Sequence, residues 1–458
     1  MKPDTGRHDL VVVGGGAAGL AAARTGVSRG ARTLLVSDGP IGGDCTFTGC
    51  VPSKTLIEHA ARRAGFGEAM AAVRAAVARI AATESPRALA DEGIQTLAGR
   101  AELSGPGRIQ VGGRRIEAAG IVIATGARPA VPPIPGLAET PYLTSENVFD
   151  LTGAPSSLAV LGGGAIGCEL AQAFARLGVR VTLIEARDRL LPGEDPEASR
   201  IIEDAFARES ITVRTGGRVT AVKATSGRVR LEFERGAPAE AERLLVAGGR
   251  TPSTGGLTGL PVDERGHLVV DGRLETGMPG VYAAGDVTGL LPFTHAAYAM
   301  GRIAASNALG GRRKESFTTK GIPRVVFTDP EVAQVGLTER QAAASKGARV
   351  AYLPMDEVDR AITAGATDGF VKLIAGPRPL LGGLGGGRLL GATIVAARAG
   401  EMIHEGALAI RTGMFTGRLA QTVHAYPTWS TAIQQAAAQF FGVYGHRTAH
   451  PAADGDVP

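Results

Sequence analysis

The chain has 458 residues, 44% hydrophobic and 20% charged, which is typical of a globular protein long enough for about three domains. Its formal charge of +5 is spread along the chain, and the one basic cluster, Arg312–Lys314, has no interleaved aromatic residues, so no nucleic-acid partner is expected. No apolar run could span a membrane, and the polar N-terminus contains no apolar signal core. We therefore expect a cytoplasmic protein without a membrane partner.

The first predicted elements form a strand, a helix and a second strand. The strand Leu10–Val13 leads into the pattern G-x-G-x-x-G, an alanine-rich helix follows, and the second strand is Thr33–Val36. Glycines in this pattern let the backbone approach a pyrophosphate held at the helix N-terminus. The three glycines are Gly14, Gly16 and Gly19. A ribose-binding carboxylate should end the second strand, where the sequence has Ser37 with Asp38 beside it, so Asp38 is the candidate.

Two of the chain's three cysteines follow, in the segment GGDCTFTGCVPSK at residues 42–54. Pro52 fits the first turn of a helix, and that helix would bring Cys45 and Cys50 within disulfide range and lower a thiol pKa at its N-terminus. A zinc site would need two further ligands, and no histidine clusters with this pair. A structural disulfide is unusual in a cytoplasmic protein. Of the three interpretations, a redox-active pair is favoured.

The glycine pattern returns later in the chain between the predicted strands Leu158–Leu161 and Arg180–Ile184. Its glycines are Gly162, Gly164 and Gly167. Glu185 ends the second strand and can accept hydrogen bonds from a ribose 2′-hydroxyl, which favours NADH, whereas Arg187 and Arg189 could hold the 2′-phosphate of NADPH. Two copies of the pattern in matching context predict two Rossmann-like dinucleotide-binding domains.

Three shorter strands end in small residues that suit a cofactor-facing turn: 121–126, 244–250 and 281–286. The candidate cofactor-binding residues at their ends are Thr125, Gly126, Gly249, Arg250 and Asp286. Each strand by itself would be taken as an ordinary buried strand. Their common shape supports the dinucleotide-binding interpretation.

After about Lys320 the pattern becomes that of an antiparallel α+β domain. The predicted strands are 323–327, 350–353, 369–374 and 389–395, and the predicted helices are 339–345, 399–411 and 428–440. The Gly/Pro-rich stretch 376–388 is predicted to be a flexible hairpin loop, and a disordered tail is expected after Gly445.

Together with ATGARP (124–129), GRTP (249–252), VYAAGDV (281–287) and IPRVVFTDPEVAQVGLTE (322–339), these motifs resemble the class I flavoprotein pyridine nucleotide-disulfide oxidoreductases. Glutathione reductase, dihydrolipoamide dehydrogenase and mercuric reductase belong to that family. The resemblance covers nearly the whole chain and implies a homodimer of α/β chains. It implies an FAD-binding domain at 1–151, an NAD(P)-binding domain at 152–273, a central segment at 274–319, a dimerisation domain at 320–445 and a flexible tail at 446–458.

The resemblance also implies a role for individual residues. The first glycine motif and Asp286 would hold FAD, and the second motif would hold the nicotinamide dinucleotide. Cys50 resembles the thiol beside the flavin, and Cys45 resembles the interchange thiol that meets the substrate. Lys54 and Glu169 resemble an ion pair next to the flavin ring. Cys168, the third cysteine, is interpreted as a small packed residue.

The chain departs from the family pattern near its C-terminus. Disulfide-reducing members have H-P-T-x-x-E there, but this chain has Tyr426 at the histidine position and Thr431 at the glutamate position. His424 does not match the histidine position and is given a structural role. A tyrosine is a poor general base at neutral pH, although it can donate a hydrogen bond. Mercuric reductases also place a tyrosine here, but no cysteine follows Cys168 to deliver a metal ion.

The segment VDRAI (358–362) and DGFVKL (368–373) resemble a mercuric-reductase-like group. The implied function is electron transfer from NAD(P)H through FAD and the Cys45–Cys50 disulfide to an electrophilic acceptor. That acceptor would be an unusual disulfide, a thiol-reactive oxidant, a soft metal ion or a quinone. Two alternatives remain: a dithiol oxidase that passes electrons through FAD to oxygen, and a non-catalytic flavin-binding subunit. No resident metal site is predicted.

Overall fold

The computed structural model describes residues 7–225, 227–310, 313–378, 380 and 382–453. These fall into two compact units, the first comprising the chain through Pro133 with 143–154 and 245–319, and the second comprising 134–142, 155–244 and 320 onwards. Arg312 of the basic cluster lies outside the described residues. Within the described ranges, no helix has both the length and the apolar character needed to cross a bilayer.

Elements of the first 150 residues belong to the first unit. Its strands there are β1 (Arg7–Val13), β2 (Thr33–Ser37), β3 (Gln95–Ala98), β4 (Ala101–Gly105), β5 (Arg108–Val111), β6 (Arg114–Ile123) and β7 (Ala127–Pro129). Its helices there are α1 (Ala17–Ser28), α2 (Gly43–Phe47), α3 (Cys50–Ala61), α4 (Phe66–Thr83) and α5 (Pro86–Asp91).

The middle of the chain contributes to both units. Its strands are β8 (Ser157–Leu161), β9 (Arg180–Ile184), β10 (Thr212–Arg214), β11 (Val219–Thr225), β12 (Arg228–Phe233), β13 (Ala239–Ala241), β14 (Arg243–Val246), β15 (Arg250–Pro252) and β16 (Val281–Ala283). Its helices are α6 (Ala165–Arg176), α7 (Pro196–Arg208) and α8 (Thr294–Ala308).

The C-terminal part of the second unit contains the remaining elements. Its strands are β17 (Arg324–Val326), β18 (Glu331–Gly336), β19 (Arg349–Pro354), β20 (Phe370–Gly376), β21 (Arg388–Ala396) and β22 (His450–Pro451). Its helices are α9 (Glu339–Ala343), α10 (Asp359–Ala364), α11 (Ala399–Thr412), α12 (Thr416–Gln421) and α13 (Thr431–Ala438).

The sheet of the first unit has the order β3-β2-β1-β6-β5-β4, and β16 also pairs with β6. Strands β3, β2, β1, β6 and β16 are parallel to one another. Leu10, Val11 and Val12 are completely buried, as expected for a parallel strand covered on both faces. In such sheets a ligand binds beyond the carboxyl ends of the strands, so the glycine turn after β1 lies at the ligand-binding edge.

The second unit repeats this arrangement in the parallel strands β10-β9-β8, with a glycine turn after β8. The unit also contains a six-stranded sheet of order β17-β18-β21-β20-β19-β22, whose neighbouring strands are antiparallel. Helix α11 packs against β18 and β21. Buried apolar side chains such as Leu373, Ile394 and Ile403 form the core between this sheet and its helices.

Two features of the C-terminal sheet differ from the sequence prediction. Strand β18 is missing from the prediction because Glu331 and Gln334 interrupt its apolar run. In the structure Gln334 is buried all the same, with only 1% of its surface exposed. The expected disordered tail is wrong for 446–453, because His450 and Pro451 pair with β19. Residues 454–458 lie outside the described residues.

Glu331 on β18 gives the C-terminal sheet a predicted pH dependence. Its Oε2 accepts a hydrogen bond from the Gly400 backbone N–H at 2.8 Å, and burial raises the pKa of Glu331 to about 7. The unfolded carboxyl has a lower pKa, so the folded state binds more protons between about pH 4.5 and 7 and loses stability as the pH rises through that window. Glu331→Gln should therefore stabilise the protein at pH 8 by up to about 3 kcal/mol.

Thermal unfolding of the wild type and of Glu331→Gln at pH 5 and at pH 8 measures this effect. The variant should melt at a higher temperature at pH 8, and most of the advantage should disappear at pH 5. An advantage that is the same at both pH values would mean that ionisation of Glu331 is not its source.

Candidate active site

The two thiols of the redox motif lie on consecutive helices of the first unit. Cys45 is on the short helix α2 and Cys50 is the first residue of α3, and both are free thiols. A hydrogen bond between the two thiols, together with burial, raises the pKa of Cys45. Cys50 Sγ also lies 3.2 Å from the Thr294 hydroxyl. Cys50 is at the N-terminus of α3, a position that stabilises a thiolate.

Helix α2 is anchored by two side-chain contacts that the sequence prediction missed. Asp44, next to Cys45, forms an ion pair with Arg250. On the other side of Cys45, the Thr46 hydroxyl donates a hydrogen bond to Glu84 Oε2 at 2.8 Å. These contacts tether helix α2 on both sides of Cys45.

The first glycine motif has one open position and two sterically constrained ones. Gly14 has a φ of +112°, and a Cβ there would lie 2.1 Å from the Ala124 carbonyl oxygen. A Cβ on Gly19 would lie 1.8 Å from the Gly14 carbonyl oxygen. Gly16, the N-cap of α1, has no atom within 4 Å of its Cβ position. A bound phosphate can therefore approach the N-terminus of α1 over Gly16.

The second motif has the same geometry. Gly162 has a φ of +118°. A Cβ on Gly167 would lie 1.8 Å from the Gly162 carbonyl oxygen, and Gly164 is the open N-cap of α6. Glu185 lies beside this loop, where its Oε2 accepts a hydrogen bond from the Gly163 backbone N–H at 2.7 Å. Glu185, which the sequence predicts to bind a ribose, therefore lies at the glycine loop of the second unit.

In the first unit, Ser37 has the place that Glu185 has in the second. A Cβ on Gly15 would lie 2.7 Å from the Ser37 hydroxyl oxygen. Asp38 is exposed beside it.

The open position at Gly164 allows a direct test of nucleotide binding. Gly164→Val should fold normally, because its backbone is extended and its surroundings are open, but the new side chain would occupy the space above the α6 N-terminus. We expect NADH to bind roughly 10- to 100-fold more weakly, the loss that follows from removing a few phosphate hydrogen bonds. The rate of flavin reduction as a function of NADH concentration measures this.

Gly153→Ala is the matched control, since Gly153 is exposed and its surroundings are equally open. Unchanged NADH affinity in Gly164→Val would show that the nucleotide does not lie over this helix.

The remaining residues predicted to bind a cofactor in the first unit come together around a two-stranded ribbon. Strands β7 and β15 pair antiparallel, which places Arg250 opposite Pro129. The Thr125 hydroxyl donates a hydrogen bond to the Ser253 carbonyl oxygen at 2.6 Å. Gly126 and Gly249 have positive φ and no atom within 4 Å of their Cβ positions.

Asp286 follows β16 and is paired with Arg250, whose Nε lies 3.4 Å from Asp286 Oδ2. Burial raises the pKa of Asp286, and Arg250 opposes that effect. Arg250 Nε makes no hydrogen bond in the described part of the chain. A desolvated carboxylate, an available guanidinium N–H and the open cradle at Gly16 are suitable partners for the ribityl hydroxyls and pyrophosphate of FAD, so these residues fit that cofactor.

Lys54 and Glu169 lie in different units. Lys54 is on α3, one turn after Cys50. Glu169 is on α6, is 5% exposed, and accepts a hydrogen bond from the Phe327 backbone N–H at 2.9 Å. Their pairing stays a prediction. Cys168, also on α6, is fully buried and its thiol donates to the Gly163 carbonyl oxygen, in keeping with a packed residue.

The segment that departs from the family pattern lies on the second unit. The Tyr426 hydroxyl donates a hydrogen bond to Asp359 Oδ2 at 2.8 Å, and this contact raises the pKa of Tyr426. Thr431 Oγ1 lies 3.1 Å from the Thr428 hydroxyl. His424 Nε2 lies 3.0 Å from Glu405 Oε2. The sequence indicated neither the Asp359 contact nor the Glu405 contact.

Comparison with known proteins agrees with this geometry. The family of pyridine nucleotide-disulphide oxidoreductases matches residues 8–301, and the dimerisation domain of the same family matches residues 322–437. Mercuric reductase from Shigella flexneri is 37% identical over 470 residues, which cover 95% of this chain and 81% of that protein. Dihydrolipoyl dehydrogenase from Thermus scotoductus is 36% identical over 94% of this chain and 96% of its own length.

Among solved structures, the Cu(II) complex of the HOCl-induced flavoprotein disulfide reductase RclA from Escherichia coli is similar, with a TM-score of 0.87 and 31% identity. The match covers 94% of this chain and 99% of that one.

The fold is therefore that of the flavoprotein disulfide oxidoreductases, with two dinucleotide-binding folds and a C-terminal dimerisation domain. The chain belongs to the pyridine nucleotide-disulphide oxidoreductase family, whose members bind FAD and a pyridine nucleotide. It is an NAD(P)H-dependent flavoprotein disulfide oxidoreductase, with mercuric reductases, dihydrolipoyl dehydrogenase and RclA among its relatives. The resemblance predicted from the sequence and the predicted fold class are confirmed.

Proposed function

We propose that this enzyme uses NADH to reduce an electrophilic acceptor through the Cys45–Cys50 pair. The observation that carries the proposal is the placement of these thiols on consecutive helices, with Cys50 at the N-terminus of α3. FAD, when bound, would supply the two-electron chemistry that links the nicotinamide to the Cys45–Cys50 disulfide. Cys50 then holds the thiolate nearest the flavin, and Cys45 is the thiol that attacks the acceptor.

The other predicted site residues support this route. Gly14, Gly16 and Gly19 leave the N-terminus of α1 available for the FAD pyrophosphate, with Asp286 for the ribityl chain and Asp38 for the ribose. Thr125, Gly126, Gly249 and Arg250 border the same site. Gly162, Gly164 and Gly167 have the corresponding role for the nicotinamide dinucleotide, and Lys54 with Glu169 would tune the flavin ring.

NADH is favoured over NADPH because Glu185 lies at the second glycine loop. A carboxylate there accepts hydrogen bonds from a ribose 2′-hydroxyl and repels a 2′-phosphate. Arg187 donates its backbone N–H to Glu185 Oε1 at 2.8 Å, so the carboxylate is held at this position from two sides.

The acceptor is proposed to be a soft metal ion or a thiol-reactive oxidant. Tyr426 stands where disulfide-reducing relatives place a histidine, which removes the usual acid for a departing thiol. The relatives include mercuric reductases, and RclA is described as HOCl-induced and was solved as a Cu(II) complex. Both kinds of acceptor react with a thiolate and need no strong acid.

The assembly is proposed to be a cytoplasmic homodimer, formed through the domain at 320–445. The FAD-binding domain would comprise 1–151 with the central segment 274–319, and the NAD(P)-binding domain 152–273. The match to the family's dimerisation domain supports this arrangement.

Anaerobic titration of the FAD-loaded enzyme with NADH, and then with NADPH, tests the proposal. Two electrons per flavin should produce a long-wavelength charge-transfer band, which reports a thiolate stacked on the oxidised flavin. Simple bleaching of the flavin would place the cysteines outside the electron path. Stoichiometric peroxide from a dithiol in air, without any nicotinamide, would instead identify the enzyme as a dithiol oxidase.

A further inference from the structure

Arg250 joins three segments of the first unit that are far apart in the sequence. Its Nη2 donates hydrogen bonds to Asp44 Oδ2 on the short helix α2 and to the carbonyl oxygen of Ala127, the first residue of β7. Its Nε lies 3.4 Å from Asp286 Oδ2, shortly after β16. One side chain therefore contacts both the helix that carries Cys45 and a carboxylate that the proposed function assigns to FAD.

The hydrogen bonds of Arg250 leave one buried donor to be satisfied. The two N–H groups of Nη2 are used by Asp44 and by Ala127. Nε is buried as well, but it makes no hydrogen bond within the ranges that the structure describes. A buried donor without an acceptor is unfavourable, so a ligand that supplies an acceptor would hold the guanidinium more strongly in this place.

The two carboxylates also interact with each other through this guanidinium. Asp44 forms an ion pair with Nη2, and Asp286 faces Nε. Burial raises the pKa of Asp286, Arg250 lowers it, and the charge of Asp44 raises it again. A change in the surroundings of Asp286 therefore affects the contact between Arg250 and Asp44.

We propose that Arg250 is a positioning residue that couples the binding of FAD at Asp286 to the placement of helix α2, and with it of Cys45. The inference rests on the proposed function, which places FAD at Asp286 and gives Cys45 the reaction with the acceptor. It deepens that function because it makes the cofactor site and the thiol that meets the acceptor depend on each other. Coupling between two sites is reciprocal, so a weaker contact between Arg250 and Asp44 must also weaken FAD binding.

Asp44→Asn tests the coupling by the sign of its effect on FAD. Removing a negative charge close to Asp286 would by itself tighten the binding of an anionic cofactor. Loss of the ion pair that anchors Arg250 acts in the opposite direction, and we expect FAD to leave the holoenzyme about tenfold faster, a usual size for coupling between sites. The flavin that passes an ultrafiltration membrane with time after dilution of the full-length holoenzyme measures this rate. Slower or unchanged dissociation would overturn the proposal.

Glu84→Gln is the matched control. Glu84 accepts the Thr46 hydrogen bond at 2.8 Å on the other side of Cys45, so this variant removes a carboxylate charge beside the same helix and leaves the Arg250 contacts in place. Its FAD dissociation rate should equal that of the wild type. An equal acceleration in Glu84→Gln and in Asp44→Asn would attribute the effect to the lost charge and overturn the coupling.

Asp286→Asn separates the inference from the proposed function. Unchanged FAD dissociation in this variant would contradict the placement of FAD at Asp286, and with it the proposed site. Faster dissociation in Asp286→Asn together with an unchanged rate in Asp44→Asn would overturn the coupling alone. Neither measurement needs a nicotinamide or an acceptor, so both stay decisive if the route through the thiols fails.

The reactivity of Cys45 gives a second, independent measurement. The holoenzyme is reduced with dithiothreitol, freed of it and treated with iodoacetamide in the presence of excess FAD, and mass spectrometry follows the peptide that contains Cys45. We expect alkylation about fivefold faster in Asp44→Asn than in the wild type, because helix α2 has lost one of its two tethers.

Glu84→Gln again separates position from charge. The pKa of Cys45 is raised by its hydrogen bond with Cys50, by burial and, among the smaller causes, by the charge of Glu84. A purely electrostatic effect on the thiol would therefore be at least as large in Glu84→Gln as in Asp44→Asn. Faster alkylation in Asp44→Asn alone supports the coupling, and equal rates in the two variants would contradict it.

Discussion

Replacing Cys50 by serine is expected to abolish the charge-transfer band of the NADH-reduced enzyme and to lower acceptor turnover by roughly a thousandfold or more. Cys50 is the first residue of α3, where the helix N-terminus stabilises a thiolate, and a serine hydroxyl does not ionise there. Cys45→Ser should lose the same turnover but show the band before any NADH is added, because its remaining thiolate would lie beside an oxidised flavin. Anaerobic spectra and stopped-flow reduction of the acceptor separate the two variants.

Cys168→Ser is the matched control for both substitutions. Cys168 is fully buried on α6 of the second unit, and the serine hydroxyl can keep its hydrogen bond to the Gly163 carbonyl oxygen. Its spectrum and turnover should match those of the wild type. Undiminished acceptor reduction in a Cys45→Ser, Cys50→Ser double variant would mean that the flavin alone reduces the acceptor.

The glycine motifs could be predicted from the sequence because their requirement is local and steric. Gly19 and Gly167 each face the carbonyl oxygen of the first glycine of their own motif, five residues earlier, where a Cβ would lie 1.8 Å away. Only glycine fits at these two positions, so the spacing of the glycines alone predicts the motif. The same is true of the buried parallel strands before them, whose apolar runs are continuous.

The contacts that orient the site could not be predicted in this way. Asp44 meets Arg250, Thr46 meets Glu84, and Tyr426 meets Asp359, and each pair joins elements far apart along the chain. Periodicity and motif spacing describe one helix or strand at a time. They therefore do not predict a contact between side chains of elements that are distant in the sequence. Strand β18 escaped prediction for a related reason, since Gln334 is polar but is buried by the sheet around it.

Lys372 on β20 makes further contacts of this kind, and its replacement is expected to lower the stability of the protein strongly. Its Nζ lies 2.9 Å from Asp195 Oδ2, 3.1 Å from Glu339 Oε2 and 3.4 Å from Glu197 Oε2, all within the second unit. Burial alone would lower the pKa of Lys372, but the three carboxylates raise it. Lys372, Asp195 and Glu339 are each less than 9% exposed, so the lysine is the cation that compensates these buried charges.

Lys372→Met should therefore lower the free energy of unfolding by about 3–5 kcal/mol, the usual cost of leaving buried carboxylates without their cation. Urea unfolding of the FAD-loaded protein measures this, with Lys346→Met as the control because Lys346 is exposed. A loss in Lys372→Met no larger than that in Lys346→Met would show that the buried carboxylates do not depend on the charge of Lys372.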